Sequence, residues 1–323
     1  FAISAIFCAR QAFKIAGGLY YAAMQRFLIC WFSLIVVSNP AVSAEQIPAY
    51  LLRIPGSIST VYVADTAAAE FHRIDNEGGS GLRYVGKSYM SIGQNGDGKQ
   101  RNGDRRTPLG IYFVTEQIDT ERLHEKYGVT AFPVDYPNAW DQRLGRSGDG
   151  IWVHGVDRRG GKRPVLDTDG CIALPNDVLS NWEQDFQPGL TPVVIARDVR
   201  WAESRQFAEL RDQLQFAVET WAGTLQRGEL ISHLALYDNE FRYMGLTADE
   251  WRILQRETLA ARAIDSVEFG ELLLLADPQE EGLYLSRFNL AIQEASGSIT
   301  YTKRLYWRRT TTGGLKIVAE DAG

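Results

Sequence analysis

Two hydrophobic periodicities follow one another along this chain, and the change between them near residue 198 constrains its fold most strongly. Before the change, apolar and polar residues alternate, as in Thr60–Asp65, which is the period of a half-buried strand. Loops rich in Gly, Asp and Asn separate the short apolar runs, at 76–81, 93–104, 135–150 and 157–170. Short strands between turn-forming loops predict a mainly β domain over residues 45–198.

After residue 198 the period lengthens to that of a helix. Apolar residues recur at steps of three and four from Phe207 to Leu225, which predicts one stripe of an amphipathic helix. Thr247 and Glu250 form a capping-box pattern that opens a further helix. Strand-like segments separated by turns follow, at 271–276, 283–292, 298–308 and 315–319. Helices followed by an antiparallel meander predict a second, α+β domain over residues 199–323, cone-shaped and with a curved antiparallel sheet.

The first 44 residues are expected to lie outside both domains. Met24 is the first methionine, and it is followed by Arg26, by an apolar run over 27–37 and by small residues up to Ala44. These are the three parts of a secretory signal peptide, and the apolar run is too short for a bilayer, which needs about 20 residues. We therefore predict an upstream extension over 1–23, a signal peptide over 24–44 and an exported protein. If the signal stays uncleaved, it would tether the protein to the inner membrane.

Charge and cysteine content limit the functions that this chain can have. The 40 Asp and Glu residues outnumber the 34 Lys and Arg residues, which argues against binding to nucleic acid. Cleavage after Ala44 would remove residues 1–44, with Cys8 and Cys30, and leave Cys171 alone. A lone thiol in an oxidising compartment is either buried as a small apolar group or used for chemistry.

Residues 150–176 carry the clearest chemical pattern. His154 ends an apolar run that is typical of a buried strand, and Cys171 follows Gly170 at the start of another. A cysteine attacks as its thiolate, and a neighbouring imidazole removes the proton. A glycine before the nucleophile lets the backbone turn tightly and bring its amides to a developing oxyanion. The pattern suits acyl transfer, although the spacing of one His and one Cys is weak support by itself.

The same residues resemble the signature of the L,D-transpeptidase catalytic domain of the YkuD type. That signature has His-Gly on one strand and, after a loop, Ser/Thr-X-Gly-Cys-Ile with a downstream Asn, as in His154-Gly155, Thr168–Ile172 and Asn176. Gly103–Gly110 is similar to the Gly-Asp-X-Arg-Thr-Pro-X-Gly loop of the family, and 132–138 with Asp141 is similar to its lead-in to the His strand. Three ordered matches make the resemblance specific, and it implies a β-sandwich catalytic domain.

The resemblance also implies roles. Cys171 is expected to be the nucleophile, His154 its general base and Gly155 the residue whose carbonyl orients the imidazole, with the amides of Gly170 and Cys171 as the oxyanion hole. The implied substrate is the tetrapeptide stem of peptidoglycan, from which attack on the L-centre carbonyl of the diamino acid expels D-Ala and leaves a Cys171 thioester. No cofactor is implied.

Further residues around the pair are expected to bind substrate. Arg158 and Arg159 lie in the loop between base and nucleophile, and cations there suit the carboxylates of a stem peptide. The remaining expected substrate contacts are Thr168, Asp169 and Asn176. The aspartates near the pair fit no zinc or calcium spacing, so no metal is expected.

Two departures from the family pattern leave the outcome of the reaction open. Asp169 stands where most members have a second His, and Ala173 stands where many have Arg. These departures and the C-terminal extension resemble the subgroup with a nuclear-transport-factor-2-like domain, in which an L,D-carboxypeptidase also occurs. Transpeptidation, carboxypeptidation and an inactive protein that binds the cell wall therefore remain alternatives. A homodimer through the C-terminal domain is a further expectation.

Overall fold

The computed structural model describes residues 46–119, 121, 124–159 and 162–323. These described residues belong to one compact unit. The predicted upstream extension with Cys8 and the predicted signal peptide with Cys30 lie outside the described residues. Within the described ranges, no helix combines the length and the apolar composition needed to cross a bilayer.

The part of the chain up to Glu203 is built mainly of short strands. The strands are β1 (Gln46–Pro48), β2 (Leu51–Arg53), β3 (Thr60–Asp65), β4 (Glu70–Asn76), β5 (Leu82–Tyr89), β6 (Ile92–Gly93), β7 (Gly110–Phe113), β8 (Ala131–Pro133), β9 (Trp152–Gly155), β10 (Leu166–Thr168), β11 (Ile172–Leu174), β12 (Pro192–Ala196) and β13 (Trp201–Glu203). Two short helices, α1 (Ala139–Arg143) and α2 (Asn176–Trp182), interrupt them.

Two sheets of this part pack face to face. The larger has the order β5-β4-β3-β12-β7, with β12 parallel to β3, and the smaller has the order β11-β9-β8. Tyr62 and Val193 of the larger sheet share one buried apolar cluster with Phe132, Val153 and Leu174 of the smaller one. Strands buried on both faces read as continuous apolar runs, as in β12. The predicted β-sandwich is confirmed.

The rest of the chain forms the predicted α+β segment. Its helices are α3 (Ala208–Gln226), α4 (Leu230–Leu234) and α5 (Ala248–Ala260), and its strands are β14 (Arg242–Tyr243), β15 (Leu246–Thr247), β16 (Ile264–Ala276), β17 (Leu283–Glu294), β18 (Gly297–Arg309) and β19 (Leu315–Asp321). The capping box of Thr247 and Glu250 is present at the start of α5. Strands β16 to β19 form an antiparallel meander, and bulges in β16 and β19 bend it. The apolar stripe of α3 packs on its inner face through Leu214, Val218 and Trp221.

The meander is completed by a strand from the other end of the chain. β2 pairs antiparallel with β16, so that Leu51 lies opposite Leu275. A shared apolar cluster joins Val61 and Val194 of the sandwich to Leu273 of the meander. The division into domains at residue 198 stays a prediction, and the two segments meet through a continuous core.

A buried ion pair also joins the two segments. Asp135 accepts a hydrogen bond from the Phe113 backbone N–H (2.7 Å) and pairs with Arg304, which is 8% exposed. The guanidinium groups of Arg304 and Arg287 each lie 5.3 Å from the centre of the Phe113 ring. Burial raises the pKa of Asp135, and the charge of Arg304 opposes that rise.

Replacement of Asp135 is expected to destabilise the protein. In Asp135→Ala the buried Arg304 would keep Asp321 as its remaining carboxylate partner. The variant removes one of two carboxylates from Arg304 and the acceptor of the Phe113 N–H, at a cost of about 1–3 kcal/mol, so urea unfolding should show a lower free energy of unfolding. The exposed Asp212 on α3 provides the control, because Asp212→Ala should change stability by less than about 0.5 kcal/mol. Equal unfolding midpoints for the two variants would contradict the expectation.

Candidate active site

His154 lies on the central strand of the smaller sheet and is 3% exposed. Its Nδ1 is 2.6 Å from the carbonyl oxygen of Gly155. A carbonyl oxygen only accepts hydrogen bonds, so Nδ1 carries the proton and Nε2 keeps a free lone pair. Burial lowers the pKa of His154 to about 4, which leaves the imidazole neutral at neutral pH. The ring is therefore set to accept a proton at Nε2.

Strand register brings Cys171 to the same face of the sheet as His154. β9 and β11 are parallel, with His154 opposite Ala173, and Cys171 lies two residues before Ala173. Alternate residues of a strand point to the same face. Both side chains line one cavity of about 430 Å³. The Cys171 thiol, which is half-buried, donates a hydrogen bond to the Gly150 carbonyl oxygen at 3.3 Å.

Hydrogen bonds fix the turn that carries Cys171. Thr168 Oγ1 donates to the Cys171 carbonyl oxygen (2.7 Å) and accepts from the Gly170 N–H (3.1 Å). The buried Thr107 donates to the Gly170 carbonyl oxygen (3.0 Å), so the Gly103–Gly110 loop braces the nucleophile turn. Gly170 has φ +129°, and a Cβ there would lie 2.7 Å from the Arg106 carbonyl oxygen. Only glycine fits this turn.

Close packing of two glycines holds the end of the His154 strand. A Cβ on Gly155 would lie 2.1 Å from Asn176 Oδ1, and a Cβ on Gly128 would lie 2.6 Å from the Gly155 Cα. The Asn176 side chain accepts from the Val156 N–H (3.1 Å) and donates to the Val156 carbonyl oxygen (3.0 Å). Both polar groups of Asn176 are thus used to position the chain that follows His154.

The Cys171 thiol is held in its protonated form. Burial raises its pKa, and the Asp169 carboxylate raises it further. A hydrogen bond with the Trp152 backbone and the charges of Lys126 and Arg163 lower the pKa but do not cancel the rise. Thiol and imidazole are therefore both neutral at rest, which suits proton transfer during attack better than a preformed ion pair.

Removal of the Asp169 charge is expected to make the thiol more acidic. Asp169 is exposed, and Arg105 Nε lies 3.8 Å from one of its carboxylate oxygens. Asp169→Asn removes a negative charge near the sulfur, so the pKa of Cys171 should fall. The rate of Cys171 alkylation by iodoacetamide, measured against pH, should then rise at lower pH than in the unmodified sequence. Asp177→Asn, at a position outside the described lining of this cavity, should leave the profile in place.

The other predicted substrate-binding residues occupy different places. Thr168 and Asp169 line the Cys171 cavity. Arg158 donates to the Gly128 carbonyl oxygen (3.0 Å), and Arg159 pairs with Glu125 (2.9 Å) and with Asp157. Those two arginines and Asn176 are absent from the described lining of the cavity. The Gly170 amide, predicted for the oxyanion hole, donates to Thr168 Oγ1 in this structure.

Several lining residues were not anticipated from the sequence, among them Lys126 and Tyr127. Lys126 and Tyr127 belong to a three-residue 3-10 helix, Glu125–Tyr127. The Tyr127 ring lies edge-on to His154, with ring centres 5.2 Å apart, and 5.0 Å from Trp152. Gly128 has φ +73° and packs on the Gly155 Cα. A glycine at this position was the sequence signal that the segment before it approaches the His154 strand closely.

Comparison with known proteins agrees with this geometry. Residues 60–195 match the L,D-transpeptidase catalytic domain family YkuD. The structure of Bdellovibrio bacteriovorus Bd1075 is 22% identical and covers 86% of this chain and 98% of its own, with a TM-score of 0.69. The helical cell shape determining protein Pgp2 from Campylobacter jejuni is 23% identical and covers 81% of this chain and 91% of its own, with a TM-score of 0.67.

At these identities the two structures establish a shared fold. An NTF2-like protein with a cystatin-like fold from Novosphingobium aromaticivorans is 14% identical over 36% of this chain and 82% of its own, with a TM-score of 0.29. No curated protein sequence matches this chain. The family match covers the segment that holds His154, Gly155 and Cys171. Residues 60–195 are therefore an L,D-transpeptidase catalytic domain of the YkuD family.

Proposed function

We propose that this protein is a cysteine acyltransferase that acts on the tetrapeptide stems of peptidoglycan. The observation that carries the proposal is the placement of a neutral imidazole and a thiol on one sheet face, in one polar cavity. His154 is oriented by the Gly155 carbonyl, and the nucleophile turn is braced by Thr107 and Thr168. These are the parts of a base-activated nucleophile.

In the first half-reaction the Cys171 thiol gives its proton to His154 Nε2, and the sulfur attacks the L-centre carbonyl of the diamino acid. The Cys171 amide and the Gly170 amide are the proposed donors to the oxyanion, and the latter must leave Thr168 Oγ1 to serve. The C–N bond then breaks, and the D-Ala amine takes the proton from the imidazolium. A thioester on Cys171 remains.

The second half-reaction decides the product. An amine of a second stem would give a cross-link between diamino acids, which is L,D-transpeptidation, whereas water would give a tripeptide, which is L,D-carboxypeptidation. Arg105, Lys126 and Arg163 line the cavity together with Asp149, Asp167 and Asp169, so the charges of the lining favour neither acceptor. An inactive protein that binds the cell wall is the least favoured reading, since Cys171, His154 and Gly155 are all present.

The proposed setting is the periplasm, at the cell wall. Pgp2 is described as a helical cell shape determining protein, and a role in cell shape is proposed here by analogy with that description. An inner-membrane tether through an uncleaved signal and a homodimer through the C-terminal segment stay predictions. No nucleic acid or cofactor takes part in the proposed reaction.

Product analysis tests the proposal. The protein is incubated with disaccharide-tetrapeptide in ¹⁸O-water, and the products are identified by mass. Cross-linked dimers would support transpeptidation, and tripeptide carrying one ¹⁸O in its new carboxylate would support carboxypeptidation. Protein alkylated at Cys171 serves as the control. Unchanged substrate with both preparations would contradict the enzyme proposal.

A further inference from the structure

Four cationic side chains line the Cys171 cavity, and three of them have carboxylate partners. The three pairs are Lys99 with Asp104 (2.9 Å), Arg105 with Asp169 (3.8 Å) and Arg163 with Asp167 (2.5 Å). Among the described residues, Lys126 has no carboxylate within ion-pair distance. An uncompensated cation in a catalytic cavity is available to an anionic group of the substrate.

The backbone of Lys126 is held firmly against the His154 strand. Its N–H donates to the His124 Nδ1 at 3.2 Å. The next residue, Tyr127, contacts the His154 ring, and Gly128 packs on the Gly155 backbone. The Lys126 side chain is exposed, with its ammonium group 4.9 Å from the centre of the Tyr127 ring. A residue that binds a charged group of a substrate needs a fixed backbone and an accessible charge, and Lys126 has both.

The charge of Lys126 reaches both reacting groups. It lowers the pKa of the Cys171 thiol and also that of His154. Lys126 lines the same cavity as His154 and Cys171, so a carboxylate bound to its ammonium group would lie close to the scissile bond. The proposed substrate has such a group in its terminal D-Ala, whose carboxylate is separated from the scissile carbonyl by one residue.

We propose that Lys126 binds a carboxylate of the stem peptide and so selects peptides in which a carboxylate flanks the scissile bond. This inference rests on the proposed function, because it names what that same site recognises. Two carboxylates of the stem are candidates, the terminal one of D-Ala and the one on the side chain of a diaminopimelate residue. Both offer the same chemistry, and the experiment separates them.

Binding to the Cys171→Ala protein tests the inference without requiring turnover. Calorimetric titration compares three ligands: a disaccharide-tetrapeptide with diaminopimelate, the same ligand with a terminal D-alaninamide, and the same ligand with lysine in place of diaminopimelate. Loss of the bound carboxylate should weaken binding roughly tenfold or more. The ligand whose binding is weakened identifies the carboxylate that Lys126 contacts. Each titration is repeated after Lys126→Met, Lys126→Arg and Lys162→Met.

Lys162 is a matched control, since it is also an exposed lysine over a tyrosine ring, 4.3 Å from the centre of Tyr89, and it lines a neighbouring cavity. Lys126→Met should abolish the preference for the carboxylate, Lys126→Arg should keep it, and Lys162→Met should leave it unchanged. Equal binding of all three ligands, no binding of any, or a preference that survives Lys126→Met would overturn the inference. Product analysis of the unmodified protein reports on the proposed reaction separately, so the two failures are distinguishable.

Discussion

Cys171→Ala is expected to lower the rate of D-Ala release from a disaccharide-tetrapeptide by roughly 10⁴-fold or more. Alanine has no group that forms a thioester. His154 could then activate only water, and the site positions the Cys171 sulfur for attack rather than a water molecule. The measurement is D-Ala released per unit time, with enzyme in excess over substrate so that a single turnover suffices. Activity within tenfold of the unmodified protein would show that another group attacks.

The same variant should fold normally, which separates loss of chemistry from loss of structure. Cys171 is half-buried, and its thiol has hydrogen bonds with backbone groups of Gly150 and Trp152. The turn around it is braced by Thr168 and Thr107, which the substitution leaves in place. The free energy of unfolding should change by less than about 1 kcal/mol.

Gly155→Ala is expected to damage both stability and activity. The new Cβ would lie 2.1 Å from Asn176 Oδ1 and 3.0 Å from the Gly128 Cα, and the second of these is backbone that cannot rotate away. Relief requires a shift of the strand end, with loss of the Asn176 hydrogen bonds to Val156. Overpacking and the two lost bonds should cost about 3 kcal/mol. Movement of the Gly155 carbonyl would also misorient His154.

A second glycine supplies the control for this substitution. Gly56 has ordinary backbone angles and open space where a Cβ would be placed, so Gly56→Ala should be neutral or slightly stabilising. Urea unfolding and D-Ala release are measured on both variants. If Gly155→Ala matched Gly56→Ala in both, the close packing around the His154 strand would have no energetic importance.

Local patterns in the sequence predicted a large part of this structure. The stripe from Phe207 to Leu225 and the capping box at Thr247 depend on neighbours three or four residues away, and both are present. The His-Gly motif lies on β9 and the Gly-Cys motif directly precedes the parallel strand β11, so their register follows from the sheet once it forms. Such features are encoded within short windows of sequence.

Contacts between distant segments could not be predicted in the same way. Lys126 and Tyr127 reach the cavity because Gly128 packs on Gly155. The hydrophobic periodicity of the sequence does not predict that contact. Thr168 and Asn176 were expected to contact substrate, and the structure shows that their side chains bond to backbone. The alternation that predicts a strand leaves its partner unspecified, and β2 pairs with β16 rather than with its sequence neighbours.

The pairing of β2 with β16 also delays completion of the sheet while the chain is being synthesised. Leu51 leaves the ribosome long before its partner Leu275, and at roughly 5–20 residues per second the wait is on the order of ten seconds or more. During that interval β2 lacks its paired strand, and Leu52, which packs among residues of the C-terminal segment, has no cover. The nascent chain must therefore carry an uncovered apolar strand, and a holding chaperone that binds such strands would have its target here.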